Sequence, residues 1–118
     1  MQRKPQGTRS LDGISINQRR LMRDLNAIGR IGIGNRGGVT RLVFSIKELR
    51  SRQVLIHLMR QAGLAIHIDG IGNIFGRLEG SDPKAPAVLA GSHLDTVIHG
   101  GKYDGPVGVI GAPQCLRG

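Results

Sequence analysis

His93 and Asp95 stand two residues apart, and Asp104 follows nine residues later, with Gly91, Gly100, Gly101 and Gly105 around them. Imidazole is a good ligand for zinc-like ions, and a carboxylate beside it holds the ring or binds the ion itself. One histidine and two aspartates within twelve residues are too few to close a metal site, and they read as half of one. As plain residue types, a strand-end His93 with Asp95 also reads as an ordinary hydrogen-bonded pair.

The elements around these residues must position them. The apolar run Ala87-Val88-Leu89-Ala90 leads into the cluster and reads as a buried strand. If that strand continues to Asp95, a period of two puts His93 and Asp95 on one face. The glycine-rich turn after Val97 lets the chain fold back, so that Asp104 returns towards His93. Further upstream, Leu21, Leu25 and Ile28 fall at helical spacing within 16–28, with Gly29 as a stop. Ser45-Ile46-Lys47-Glu48 has the form of a capping box. The serine takes an orphan helix N–H and Glu48 reaches back, opening a helix that runs to about residue 62. Leu55, Leu58, Met59 and Ala62 lie on its buried side, and Gly63 caps it. Leu64–Ile68 and Asn73–Leu78 read as two strands joined through Gly70-Ile71-Gly72. The sequence therefore predicts an α/β piece, with two helices packed on about three strands. Pro113 would disturb a helix interior.

Composition narrows the classes. A chain of 118 residues makes one modest core. Its aromatics are Phe44, Phe75 and Tyr103 alone, few for stacking on single-stranded nucleic acid. The net charge is +9, and residues 1–60 hold 13 of the 17 Lys and Arg against Asp12, Asp24 and Glu48. That surface would attract anions, nucleic acid or membrane. It reads more simply as a basic solvated face plus a basic tail over 1–15. The lone Cys115 has no internal partner, which suits a reducing, cytoplasmic setting. No apolar run approaches the ~18 residues of a membrane span. The basic start lacks the apolar centre of a secretory signal.

Other chemistry-bearing residues read as bystanders. Gly32-Ile33-Gly34-Asn35-Arg36-Gly37 spells GxGxxG, but it follows a helix and opens none, so it lacks the context of a dinucleotide fingerprint. His57 falls near the polar face of the capped helix and His67 on a strand, both as solvated side chains. His99 lies in the loop between the two halves of the cluster and reads as a neighbour of the site.

Gly91-Ser92-His93-Leu94-Asp95-Thr96-Val97, then Gly100-Gly101, Tyr103-Asp104-Gly105 and Gly108-Val109, resemble the metal-binding motif of the M20 family of metallo-aminohydrolases. The similar branch contains N-carbamoyl-L-amino-acid hydrolases and allantoate amidohydrolases. Upstream, Gly37-Gly38-Val39-Thr40-Arg41-Leu42 with Ser45, Ala62-Gly63-Leu64, Asp69 and Gly72-Asn73-Ile74 also fit, so the resemblance runs from about Asn17 to Ala112. It implies the N-terminal portion of an α/β/α zinc-exopeptidase-like catalytic domain over 16–112, with an incomplete sheet. It implies that His93 ligates one of two divalent ions, zinc or manganese, and that Asp104 bridges both. Asp95 would orient the ligands or the catalytic acid–base. The substrate would be a small carbamoyl or ureido compound whose linear C–N bond is hydrolysed.

The resemblance also implies parts that this sequence does not contain. Downstream of Asp104 there is no acidic residue, so the glutamate pair and the further ligands of the family are missing. The lid and dimerisation domain through which the family forms homodimers is missing too. Residues 113–118 depart from the family pattern and read as a divergent, truncated end. The expectation is a fragment that is inactive alone. The alternative is a small basic non-enzymatic protein that binds nucleic acid or a partner through its Arg-rich first half. Its scarce aromatics count against nucleic acid.

Overall fold

A computed structural model describes residue 13 and residues 15–117. The basic tail read at 1–15 lies, apart from Gly13 and Ser15, outside the described residues.

The order is α1 (Gln18–Gly29), α2 (Ile46–Gln61), β1 (Ala65–Ile68), β2 (Ile74–Arg77) and α3 (Pro106–Arg117). Both expected helices form. Asn17 caps α1 by accepting the Arg20 N–H at 3.0 Å. Ser45 caps α2 by accepting the Glu48 N–H at 3.2 Å. Only half of the expected capping box exists. The Ser45 N–H donates to the Leu42 carbonyl instead, and the buried Glu48 carboxylate pairs with Arg52 at 3.3 Å. Arg52 also donates to the Gly72 carbonyl, tying α2 to the turn between the strands. At its other end α2 closes in a Schellman motif. Gly63, at φ 77°, donates to Arg60 O, and Leu64 donates to Met59 O.

The hairpin is antiparallel, in the register Ala65↔Arg77 to Ile68↔Ile74. Its turn is pinned by Asp69. One carboxylate oxygen accepts from Ile71 N (3.1 Å) and Asn73 N (2.8 Å), and the other accepts from the Asn73 amide (2.8 Å). These bonds, with the Asn73 side chain contributing most, hold the Asp69 carboxyl below the usual carboxylate pKa.

Two expectations fail. The Ala87–Ala90 run is neither paired nor buried, and Val88 is 98% exposed. A strand needs a ladder partner on at least one side, and among the described residues none lies beside it. The sheet therefore has two strands. Conversely, a third helix forms over Pro106–Arg117 and runs through Pro113. Pro106 stands at its first position, where a missing N–H costs nothing. Tertiary packing offsets the lost hydrogen bond at Pro113, since Pro113 and Gln114 are both buried. Gln114 accepts from Arg20 Nε and donates to Asp24 at 2.7 Å, clamping the end of α3 to α1.

The core forms where the three helices meet. It comprises Leu25 and Ile28 of α1, Leu55 and Met59 of α2, Val109 and Ile110 of α3, with Leu64 and Leu94. Leu94 belongs to the chemistry-bearing cluster, so the same contacts that stabilise the core also seat that cluster.

Candidate metal centre

The backbone from His93 to Val97 is extended without belonging to a strand. Its alternation holds nonetheless. Leu94 and Thr96 are buried, while His93 and Asp95 face outwards. Burying a leucine side chain contributes about 1.5–3 kcal/mol, which favours the register that turns His93 and Asp95 to solvent.

A strip at Val39–Arg41 mounts this stretch. Val39 and Gly100 exchange backbone hydrogen bonds at 2.9 and 2.8 Å, and Thr96 N donates to Arg41 O at 2.9 Å. The Thr96 hydroxyl accepts from Arg41 N at 2.8 Å and shares its proton between the carbonyls of Val39 (3.0 Å) and Val97 (2.8 Å). His99 N donates to the Thr40 hydroxyl at 3.0 Å. The Gly32–Gly38 loop folds back on itself through Gly34 N to Gly38 O and forms no phosphate cradle opening a helix.

The three predicted site residues converge. His93 Nε2 lies 3.9 Å from Asp104 Oδ2, and His93 Nδ1 lies 3.7 Å from Asp95 Oδ1. At 2.9 Å from the Asp95 backbone carbonyl, Nδ1 has a hydrogen-bond acceptor. A carbonyl only accepts, so in the neutral ring Nδ1 carries the proton and Nε2 presents a lone pair towards Asp104. A metal-binding histidine is oriented in this way, by a hydrogen bond from its second nitrogen. Two ligand bonds of ~2.1 Å span at most about 4.2 Å, so a single ion fits between Nε2 and Oδ2. The Asp104 side chain is 82% exposed, which leaves the outer side of the pair open.

The site is not closed. Among the described residues, no group of three or more histidines, cysteines or acids is arranged to hold a metal ion. His57 and His67 are exposed on α2 and β1, away from the pair in sequence and element. His99 is exposed and sits at φ 54° in the loop joining the two halves. No helix among the described residues is long and apolar enough to cross a membrane.

Arg41 is the residue that the sequence reading missed. Counted there with a solvated basic face, it is fully buried. Its Nε donates to Leu94 O (2.9 Å), and its Nη1 to Ile28 O (3.0 Å) and Ile31 O (2.8 Å). Burial lowers the guanidinium pKa, while Glu48 and Asp95 act to raise it; an arginine remains charged under either influence. A signal was present, because a period of two from the apolar Val39 points Arg41 inwards with it.

No protein-family model matches the chain. Over 102 residues it is 43% identical to an N-carbamoyl-L-amino acid amidohydrolase of Geobacillus stearothermophilus, a match covering 86% of this chain and 25% of that protein. Over 91 residues it is 42% identical to an allantoate amidohydrolase of Bacillus subtilis, covering 76% of this chain and 22% of that protein. Its fold matches the crystal structure of a hydantoinase/carbamoylase family amidase from Burkholderia ambifaria with a TM-score of 0.83 at 41% identity, over 86% of this chain and 25% of the other. The chain thus spans about a quarter of the length of these relatives. In both sequence and fold, the chain belongs to the family of N-carbamoyl-L-amino-acid and allantoate amidohydrolases.

Proposed function

We propose that this chain supplies one edge of the metal centre of an amidohydrolase that cleaves linear C–N bonds in N-carbamoyl-L-amino acids or allantoate. The reading rests on one observation, the facing of His93 Nε2 and Asp104 Oδ2 at 3.9 Å with Nδ1 turned to the Asp95 carbonyl. In it, His93 and Asp104 would hold divalent ions, zinc or manganese, with His93 a ligand to one and Asp104 a ligand shared by two. Bound there, such ions supply a nucleophile at neutral pH and polarise the carbamoyl oxygen. Asp95 braces the imidazole through its carbonyl and keeps its carboxylate beside the ring. The surrounding domain is the three-layer α/β/α type, with the hairpin as part of its sheet. A cytoplasmic setting fits the free thiol of Cys115.

Such hydrolysis needs a proton shuttle, and on this reading it comes from a carboxylate outside these 118 residues, which have no acid after Asp104. The 118 residues alone are therefore expected not to turn over substrate. Grafting residues 17–112 in place of the matching stretch of the Geobacillus stearothermophilus relative tests the reading. The graft is expected to release ammonia from N-carbamoyl amino acids, and to lose that activity with His93→Ala or Asp104→Ala. A graft that folds and hydrolyses substrate equally well without His93 defeats it. So does metal-dependent turnover by the isolated chain.

A further inference from the structure

Arg41 gathers three backbone carbonyls; among the described residues Ile31 O and Leu94 O have no other donor, while Ile28 O also accepts from Ile31 N. Ile28 O and Ile31 O lie at the C-terminal end of α1, and Leu94 O lies inside the His93–Asp95 stretch, 53 positions along the chain. All three are acceptors, so a backbone segment placed between them would satisfy them only in part. A planar guanidinium with five N–H groups satisfies them together, and its charge suits the negative end of a helix. Burying a cation is costly, and an apolar side chain of similar volume frequently stabilises a core as well or better. The residue chosen here is therefore one that fixes carbonyl directions as well as filling space.

What it fixes is the backbone on both sides of Asp95. The side chain holds Leu94 O. The Arg41 main chain holds Thr96 twice, through Thr96 N to Arg41 O and Arg41 N to the Thr96 hydroxyl. Between these anchors lies the Asp95 carbonyl that His93 Nδ1 meets at 2.9 Å.

We infer that Arg41 is the positioning residue of the His93 ligand, clamping Leu94 and Thr96 so that the Asp95 carbonyl holds the proton on Nδ1 and leaves Nε2 bare towards Asp104. The use of that bare nitrogen rests on the metal reading above. The tautomer does not, and the two are separately measurable.

The ring of an unconstrained histidine side chain favours the opposite form, with the proton on Nε2, so loss of the clamp is visible. The measurement is nitrogen-15 NMR of the labelled His93 ring in the full 118-residue chain at about pH 8, where a free imidazole is neutral. It is paired with zinc titration and with circular dichroism as a check of folding. Wild type is expected to show the Nδ1–H form. Arg41→Met and Thr96→Val should both shift the ring towards Nε2–H and weaken zinc binding about 10–100-fold, the usual effect of losing a ligand's orienting partner. Thr96→Ser keeps the hydroxyl and should keep the wild-type tautomer. If Arg41→Met does not fold, the Thr96 pair decides. A folded Arg41→Met or Thr96→Val protein that keeps the Nδ1–H form overturns the inference, as does a wild type in the Nε2–H form. A wild type that binds no zinc, with the tautomer still following Arg41 and Thr96, overturns the metal reading and leaves the positioning role standing.

Discussion

Gly105 shows how closely single residues constrain the site. It sits at φ 84°, and a Cβ there would lie 2.6 Å from His93 Cε1 and 2.7 Å from Nδ1. Gly105→Ala should therefore push the ring off the Asp95 carbonyl and strain the backbone by roughly 1–3 kcal/mol. Thermal melting reads the second effect and zinc titration the first. An unchanged affinity would show that the ring has room to spare. Asp69 gives a prediction in pH. Its folded pKa is depressed by its hydrogen bonds to Asn73 and the turn amides. A depressed carboxyl contributes stability that is complete above its unfolded pKa of ~3.9 and is lost as pH falls through the lower folded value. Melting of wild type should thus weaken in acid below about pH 4, and Asp69→Ala should remove that part of the dependence. Identical acid profiles for the two proteins would dismiss the turn as its source. At this scale His93, Asp95 and Asp104 were legible from residue type and spacing. Arg41 was not, because a sequence rich in basic residues makes any one of them look solvated.

Among the elements, α2 was the most readable. Ser45 and Gly63 bracket it by local chemistry that acts regardless of what packs above. Ser45→Ala removes the acceptor of the Glu48 N–H and should cost about 1 kcal/mol, seen as a lower urea midpoint with an unchanged slope. A neutral result would mean that water replaces the cap. The hairpin was readable for a similar reason, since its turn carries its own hydrogen bonds through Asp69. Ala87–Ala90 was misread because an apolar run states a preference for burial without supplying a neighbour. The α3 helix was misjudged in the opposite sense. Pro113 opposes a helix locally, yet the clamp of Gln114 on Asp24 and Arg20 and the burial of Val109 and Ile110 hold it.

The molecule as a whole carries an open side. A trough of about 670 Å³ is lined by Ile74 and Phe75 of β2, by Leu89 and Ala90, and by Val109 and Leu116 of α3. Val88, Leu89, Ile71 and Phe44 are all largely exposed. Contiguous apolar surface of this kind seeks cover, and an unpaired extended segment adds free backbone donors and acceptors. The isolated chain should self-associate. Val88→Ser with Leu89→Ser should raise the monomer fraction in sedimentation while shifting stability by no more than about 0.5 kcal/mol, since both side chains contribute little to the core. Association that persists in the double variant would locate the sticky face elsewhere. The family was legible from the ordered motif string, whereas the sheet was not. Motif residues carry their pattern locally, but a central strand is defined by neighbours, and this chain spans only about a quarter of the relatives' length.

The central claim is that His93 and Asp104 are two ligands of one metal site, and calorimetric titration of zinc into the chain at about pH 8 tests it most directly. Two protein ligands are fewer than the three usual at a catalytic zinc, so the account predicts weak but measurable binding to wild type. It predicts that His93→Ala and Asp104→Ala each abolish that binding, while His57→Ala leaves it intact. Equal zinc affinity in wild type, His93→Ala and Asp104→Ala would contradict it.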